Sequence, residues 1–387
     1  MQYHNTFSLS LQMHLLTNLR QNSIFMNTSK NYCVILAGGK GKRLWPCSKE
    51  NLPKQFIDLF GSGKTSLQQT FERVNRYVPA ENILVSTNKS YVDLVKEQLP
   101  LIKDNNILAE PVQRGTAPCM EWAAFKINDR CENANIIAIP ADLMIMNEEK
   151  FSEDMTAGLQ FVDGTEKLLT IGVKATRPET EYGYIQIGGE NPAKNVYRVK
   201  SFTEKPELDF AKAFLESGEF FWNTSIFIST AYGIMNAVNK ILPSIFRDIR
   251  QKYPNLTIEE ENEFVYQHFS QYPNVSLEQG VLEKSDEVYV MTCNFGWADL
   301  GTWHNLYELL PKNEEKNVIL NSKAIMDDCQ NSIIMIDKGK LAVLNGLNDY
   351  VVIDKNDVLL VCRKEHSSQL IRKYINDAQV KYDKEFI

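Results

Sequence analysis

The sequence predicts an α/β domain with a mainly parallel sheet flanked by helices, followed by a small all-β unit. Short β-rich apolar runs alternate with helically spaced ones from residue 32 to about 310, which means βαβ units and a sheet covered on both faces. A glycine-rich turn follows the first apolar run directly. Beyond Pro311 the helical period nearly vanishes, and apolar runs become short and broken by Asn, Asp and Gly.

In order, the expected strands are 32–37, 83–86, 136–139, 168–173, 184–188, 196–201, 225–229 and 287–291. A helix is expected over 66–77, where Ser66 and Gln69 form a capping-box pattern and Leu67, Phe71 and Val74 share a face. Residues 90–98 and 116–130 read the same way. The small unit holds apolar runs at 318–320, 333–336, 341–344, 350–353 and 358–361. A polar helix over 366–381 closes the chain, with Leu370, Tyr374 and Ala378 at helical spacing. The division is 26–311 for the large domain and 312–387 for the small one. Residues 1–25 are expected to be a disordered tail or a start-site artefact, because Met26 stands just ahead of the first strand.

The 387 residues are 43% hydrophobic and 24% charged, an ordinary globular balance. A net charge of -7 argues against nucleic acid or an anionic membrane as the main partner, so basic residues within motifs are expected to meet small phosphorylated ligands. Seven cysteines without a C-x-x-C pair or metal-like spacing read as reduced, cytoplasmic thiols. No run approaches the about 18 apolar residues of a membrane span, and residues 1–25 lack the marks of a signal peptide.

The chemistry begins at residues 36–56, LAGGKGKRLWPCSKENLPKQF. Gly38, Gly39 and Gly41 let the backbone approach a ligand and aim N–H groups at phosphate oxygens, while Arg43 and Lys54 add charge from two directions. This is not a dinucleotide fingerprint, since no third glycine follows at the required spacing. Gly61-Ser62-Gly63-Lys64-Thr65 resembles a P-loop but fails on spacing, because the position needing glycine is Asp58; a turn and helix start are preferred. Asp142 ends the buried run 136–141, and Asp299 lies between small residues and two tryptophans. Each alone reads as a turn or cap aspartate, whereas together they would suffice for Mg²⁺, which takes its remaining ligands from water and substrate phosphate. Glu204, Lys205 and Asn223 suit sugar hydroxyls and a phosphate, against the plainer readings of a surface turn and a packed aromatic segment.

These residues, with Glu110-Pro-Val-Gln-Arg-Gly-Thr-Ala-Pro118, Glu181-Tyr-Gly-Tyr-Ile185, Phe202-Thr-Glu-Lys-Pro206, Trp222-Asn223 and Gly296-Trp-Ala-Asp-Leu-Gly-Thr-Trp303, resemble the sugar-1-phosphate nucleotidyltransferase family over residues 31–310. The Trp45-Pro46 pair and PKQF resemble its mannose, guanine branch. The resemblance implies a Rossmann-like, GT-A-like nucleotidyltransferase domain and a small β-helix-like C-terminal domain. It implies that GTP is held by Leu36, Ala37, Gly38, Gly39, Gly41, Lys42, Arg43 and Lys54, with Arg114, Gly115, Thr116 and Ala117 beside the base and ribose. Tyr182, Gly183, Glu204, Lys205 and Asn223 would line the sugar phosphate, and Asp142 and Asp299 would bind Mg²⁺. Three places depart from the family pattern: Leu143, Ser225 and the stretch 275–284.

The implied reaction is in-line attack of mannose 1-phosphate on the α-phosphorus of GTP, giving GDP-mannose and pyrophosphate. An anionic nucleophile needs no general base, which fits the lack of any Ser-His-Asp or Cys-His pattern. The alternatives are glucose 1-phosphate with UTP or dTTP, and a non-catalytic nucleotide-sugar-binding subunit. Exposed β edges in the small unit favour a homodimer.

Overall fold

The computed structural model describes residues 30–245, 256–382 and 386–387; the expected tail over 1–25 lies outside them. The large unit contains β1 (Asn31–Leu36), α1 (Ser66–Val74), β2 (Ile83–Asn88), α2 (Val92–Gln98), β3 (Ile107–Glu110), α3 (Thr116–Arg130), β4 (Asn135–Pro140) and β5 (Leu143–Ile145). It continues through α4 (Glu148–Val162), β6 (Leu168–Lys174), β7 (Gly183–Ile187), β8 (Val196–Glu204), α5 (Leu208–Ser217), β9 (Phe220–Thr230) and α6 (Ala231–Ile241). Then come α7 (Ile258–His268), α8 (Leu277–Gly280), β10 (Val288–Cys293), β11 (Trp297–Asp299) and α9 (Trp303–Leu309).

The main sheet has the order β3-β2-β1-β4-β9-β6-β10-β8-β7. Strands β3, β2, β1 and β4 are parallel, but β9 runs antiparallel to both β4 and β6, and β8 is antiparallel to β10 and β7. The sheet is therefore mixed, which corrects the expectation of a mainly parallel one. No helix separates β6, β7 and β8, and a parallel neighbour needs a long crossover, so the short connection from β7 to β8 leaves the antiparallel pairing.

Alternation along β1 and β4 divides the core. Cys33, Ile35, Ile137 and Ile139 face Leu67, Phe151 and Met155, whereas Val34, Ile136 and Ala138 face Met120, Trp122, Ile234 and Val238. Register sets Leu36 beside both Ser86 and Pro140, so the carboxyl ends of β1, β2 and β4 open together, where such sheets bind ligands. Helix α1 starts at Ser66, as expected, and ends at Val74, but its capping frame lies one residue earlier than expected. Thr65 and Gln68, rather than Ser66 and Gln69, make the reciprocal capping bonds; the sequence holds two overlapping frames and the chain uses the first. In the P-loop lookalike, the Asp58 carboxylate accepts the N–H groups of Ser62 (2.9 Å) and Gly63 (2.7 Å). The turn's donors are thus engaged by the chain itself.

The small unit contains β12 (Val318–Ile319), β13 (Lys323–Asp327), β14 (Ile333–Ile336), β15 (Leu341–Asn345), β16 (Tyr350–Lys355), β17 (Val358–Arg363) and α10 (Ser367–Tyr382). Strands β12, β14 and β16 pair in parallel, as do β13 and β15, and β17 closes antiparallel on β16. One face of the larger sheet, through Ile334, Ile336 and Val352, meets Ala342 and Leu344 of the smaller. Its other face, through Ile333, Val351 and Ile353, shares a core with Leu44, Trp45, Trp303, Ile371 and Ile375. The two units are thus welded at the segment that follows the glycine turn. Trp45 Nε1 donates to the Phe386 carbonyl (2.7 Å), Trp303 Nε1 to the Trp45 carbonyl (3.2 Å), and Asn356 Nδ2 to the Pro46 carbonyl (3.0 Å).

A buried ion pair ties α7 to α3. Lys126 Nζ donates to Glu261 Oε2 at 2.8 Å, with side chains 7% and 6% exposed, and Trp122 Nε1 donates to the other carboxylate oxygen. Removing one partner strands the other charge away from water, at a cost of about 3–5 kcal/mol. Glu261→Gln should lower the urea midpoint accordingly, and the double variant Lys126→Met with Glu261→Gln should recover part of the loss. A change under about 1 kcal/mol in the single variant would remove this pair from the account of stability.

Candidate active site

The site grows from the turn after β1. Gly41 has φ +62°, and a Cβ there would lie 2.5 Å from Ser48 Oγ and 3.0 Å from Lys54 N, so only glycine allows this closure. Gln55 completes it by donating from Nε2 to the carbonyls of Ala37 (2.7 Å) and Gly39 (2.8 Å). The two halves of the 36–56 motif are thereby one object. Its cations face a cavity of about 430 Å³ lined by Lys40, Lys42, Arg43, Lys54, Asp142 and Arg372. Lys54 Nζ pairs with the Asp142 carboxylate, and Arg43 Nη1 lies 3.7 Å from Glu181 Oε2.

A short antiparallel ladder brings Asp299 to the same place. Strand β11 pairs with β5 so that Asp299 stands opposite Leu143, and Leu300 N donates to the Asp142 carbonyl at 3.4 Å. Asn305 Nδ2 donates to Asp299 Oδ2 at 3.3 Å, while a Cβ on Gly301 would come within 2.7 Å of that oxygen. Burial pushes the Asp299 carboxyl up; Lys54 and Arg43 pull it partly back, and the Asp142 charge adds to the rise. Two adjoining carboxylates, one desolvated, fit a divalent cation that takes few protein ligands. Among the described residues no cluster of three or more His, Cys, Asp or Glu side chains forms a complete metal cage.

The basic cavity shares Leu36, Gly39 and Gln113 with a second one of about 520 Å³. This second cavity has a different character. Its walls carry Glu110, Glu204 and Glu278, together with Asn223, Thr116 and Ser276. Burial pushes the Glu110 carboxyl up to about 7, against hydrogen bonds from Ser86 (Oγ at 2.6 Å) and Cys119. Glu278 is raised by burial too, with its own backbone and Ser276 opposing and Glu204 reinforcing.

Gly115 shapes this wall. Its φ is +75°, and a Cβ would strike the Val275 carbonyl at 2.3 Å. That approach lets Ala117 N bond Val275 O (3.2 Å) and Thr116 Oγ1 accept from Leu277 N (2.8 Å), seating the divergent 275–284 stretch against α3. Arg114 instead turns its guanidinium to the Ser270 carbonyl, and Ala117 is buried behind the wall; neither lines the cavity. Ser225, where the sequence departs from the family pattern it resembles, has φ +58°.

Gly183 pairs with Glu204 in register, and a Cβ there would lie 2.7 Å from the Glu204 carboxylate. The Lys205 ammonium pairs with Glu204, while Asn223 Oδ1 accepts from Ser225 N at 3.0 Å. Tyr182 is packed edge-on between Trp222 and Trp297, at centroid distances of 5.2 and 5.1 Å, and lines a separate cavity behind the cleft. The loop carrying it is anchored by Glu179. Burial would raise that carboxyl, but His304, Glu181 N–H and Arg177 outweigh it and hold it near 2.

Of the candidate residues named from the sequence, Leu36, Gly38, Gly39, Gly41, Lys42, Arg43, Lys54, Asp142, Asp299, Gly115, Thr116, Glu204 and Asn223 lie in or against one cleft. Sequence reasoning missed Arg372 as a lining group, and it quoted Glu110 and Gln113 only within a motif and Glu278 only within the divergent 275–284 stretch.

The nucleotidyl transferase family model matches residues 32–316. The mannose-1-phosphate guanylyltransferase of Klebsiella pneumoniae is 34% identical over 87% of this chain and 72% of its own length. One from Salmonella typhimurium is 32% identical over 91% and 74%. Among solved structures, a Thermus thermophilus protein described as a mannose-1-phosphate geranyltransferase superposes with a TM-score of 0.79, at 27% identity, over 90% of this chain and 99% of that one. The chain that carries this cleft is therefore a member of the nucleotidyl transferase family, similar over most of its length to the mannose-1-phosphate guanylyltransferases.

Proposed function

We propose that the cleft transfers GMP from GTP to mannose 1-phosphate, giving GDP-mannose and pyrophosphate. The observation that carries this reading is the polarity of one continuous cleft. Its basic end, with Lys42, Arg43 and Lys54, suits phosphates, and its carboxylate end suits groups rich in N–H and O–H donors. A guanine edge offers such donors to Glu110 or Glu278, and sugar hydroxyls offer them to Glu204 and Asn223. Relatives named mannose-1-phosphate guanylyltransferase support this choice of base and sugar.

Catalysis then rests on placement and charge. The attacking phosphate is already anionic, so the chain's own groups orient it in line and offset charge on the departing pyrophosphate. Asp142 and Asp299 are the residues that would hold a divalent cation, Mg²⁺, whose contribution is to neutralise phosphate charge. Lys54 takes part from its pairing with Asp142. Tyr182 acts through packing, by fixing the start of β7 at Gly183 beside Glu204.

In the small unit, each parallel strand pairs with its equivalent one coil later, which supports a short β-helix-like reading over 312–387 beside a transferase domain over 26–311. Exposed Ile325, Leu341 and Val343 on that unit support a homodimer. The seven free cysteines accord with a cytoplasmic site of action, and no described helix is long and apolar enough to cross a membrane.

Lys54→Ala and Asp299→Asn should each lower kcat by about 10² to 10³, the cost of one preorganised charge-stabilising group. Pyrophosphate release from GTP and mannose 1-phosphate measures it, and near-normal turnover in either variant would end that residue's assigned role. Glu110→Gln should weaken GTP binding by roughly 10- to 100-fold, since hydrogen bonds to a charged group contribute about 1.5–3 kcal/mol. The carboxylate, not the carboxylic acid, accepts both guanine donors, so wild-type affinity should rise with pH through about 7. The gap between wild type and Glu110→Gln should therefore close below pH 6. A gap independent of pH in calorimetric titrations would exclude Glu110 from base recognition.

A further inference from the structure

We propose that Arg372, on the last helix of the chain, is a direct ligand of the outer phosphates of the nucleotide and of the released pyrophosphate. The inference rests on the reading of the basic cavity as the triphosphate end of the cleft. Arg372 lines that cavity together with Lys40, Lys42, Arg43 and Lys54, although it comes from the opposite end of the sequence and from the small unit.

Its position is fixed by packing. Ile371 and Ile375, one helical turn apart, are 0% and 3% exposed and sit in the core shared with Leu44 and Trp45. A step of one residue turns about 100° around a helix, so the residue after Ile371 leaves the core beside the turn that carries Lys42 and Arg43. Bonds from Trp45 to Phe386 and from Trp303 to Trp45 hold the two sides of this contact together.

Three of the four neighbouring cations already have carboxylate partners, Lys40 with Glu50, Arg43 with Glu181 and Lys54 with Asp142, which leaves Lys42 and Arg372 for the ligand. Arg372 is exposed and forms no ion pair among the described residues. A guanidinium is permanently charged, and its planar fork matches two phosphate oxygens, so an exposed arginine at the mouth of a cationic cavity is suited to grip a pyrophosphate unit. The small unit then supplies part of the nucleotide site.

The test compares wild type, Arg372→Gln and Arg372→Lys in both reaction directions, with calorimetric binding of pyrophosphate in the presence of Mg²⁺. Arg372→Gln should raise KM for GTP and for pyrophosphate at least tenfold, weaken pyrophosphate binding by a similar factor, and leave KM for mannose 1-phosphate and the Tm within error. Arg372→Lys, which keeps the charge without the fork, should fall between the two. Unchanged KM for GTP and pyrophosphate, or an equal loss for every substrate accompanied by a lower Tm, would overturn the proposal. Absence of GMP transfer in the wild type would instead refute the functional reading. In that case pyrophosphate binding alone decides on Arg372, with equal affinity in wild type and Arg372→Gln counting against it.

Discussion

The clamp of Gln55 onto the glycine turn is the contact from which the rest of the site follows. One carboxamide nitrogen reaches two carbonyls, those of Ala37 and Gly39, and so fastens the segment carrying Lys54 against the end of the first strand. The approach is possible because Gly41 has no Cβ to meet Ser48 and Lys54. The Ala37 carbonyl is buried and also accepts from Thr87 Oγ1 at 3.1 Å, whereas the partly buried bond to Gly39 is the one that ties the outer part of the turn to Gln55. With the clamp in place, Lys54 lies on Asp142, and the ladder between β5 and β11 brings Asp299 beside it. Charge is gathered by geometry set at a neutral side chain.

A second constraint concerns where the large unit ends. Residues on both sides of Pro311 share one core, in which Leu44 and Trp45 meet Ile333, Val351 and Ile371. The turn that presents Lys42 and Arg43 is backed by this core rather than by the main sheet. Rigidity of the phosphate end therefore depends on the small unit, and the boundary between transferase and appendage does not coincide with a gap in packing.

Much of this was legible in the sequence. Apolar runs marked most strands of the main sheet, and local residue chemistry marked the 36–56 loop, Asp142 and the pair Glu204 and Asn223. What was not legible depends on tertiary partners. Strand directions were misjudged because hydrophobic alternation carries no sense of direction, although the lack of a helix between β7 and β8 was an available signal. Strand β11 is too short to show a period, so the meeting of Asp142 with Asp299 could not be derived from spacing. Arg114 looked like a ligand group by motif, yet its guanidinium found the Ser270 carbonyl. Glu278 lay in a stretch that departs from the family pattern, and only the close approach of Gly115 to Val275 places it on the cavity wall.

The bond from Trp45 to the Phe386 carbonyl joins the beginning of the chemistry to a segment 341 residues further along the chain. On the ribosome, the glycine turn emerges long before helix α10 and the segment at Phe386 that back it. Such long-range closure is slow to form and leaves apolar surface open meanwhile. The outer wall of the phosphate cavity consequently matures late, and in a nascent chain Leu44 and Trp45 stay uncovered until Trp303, Ile333, Val351 and Ile371 have emerged. Competence to hold a nucleotide is thus coupled to completion of the small unit.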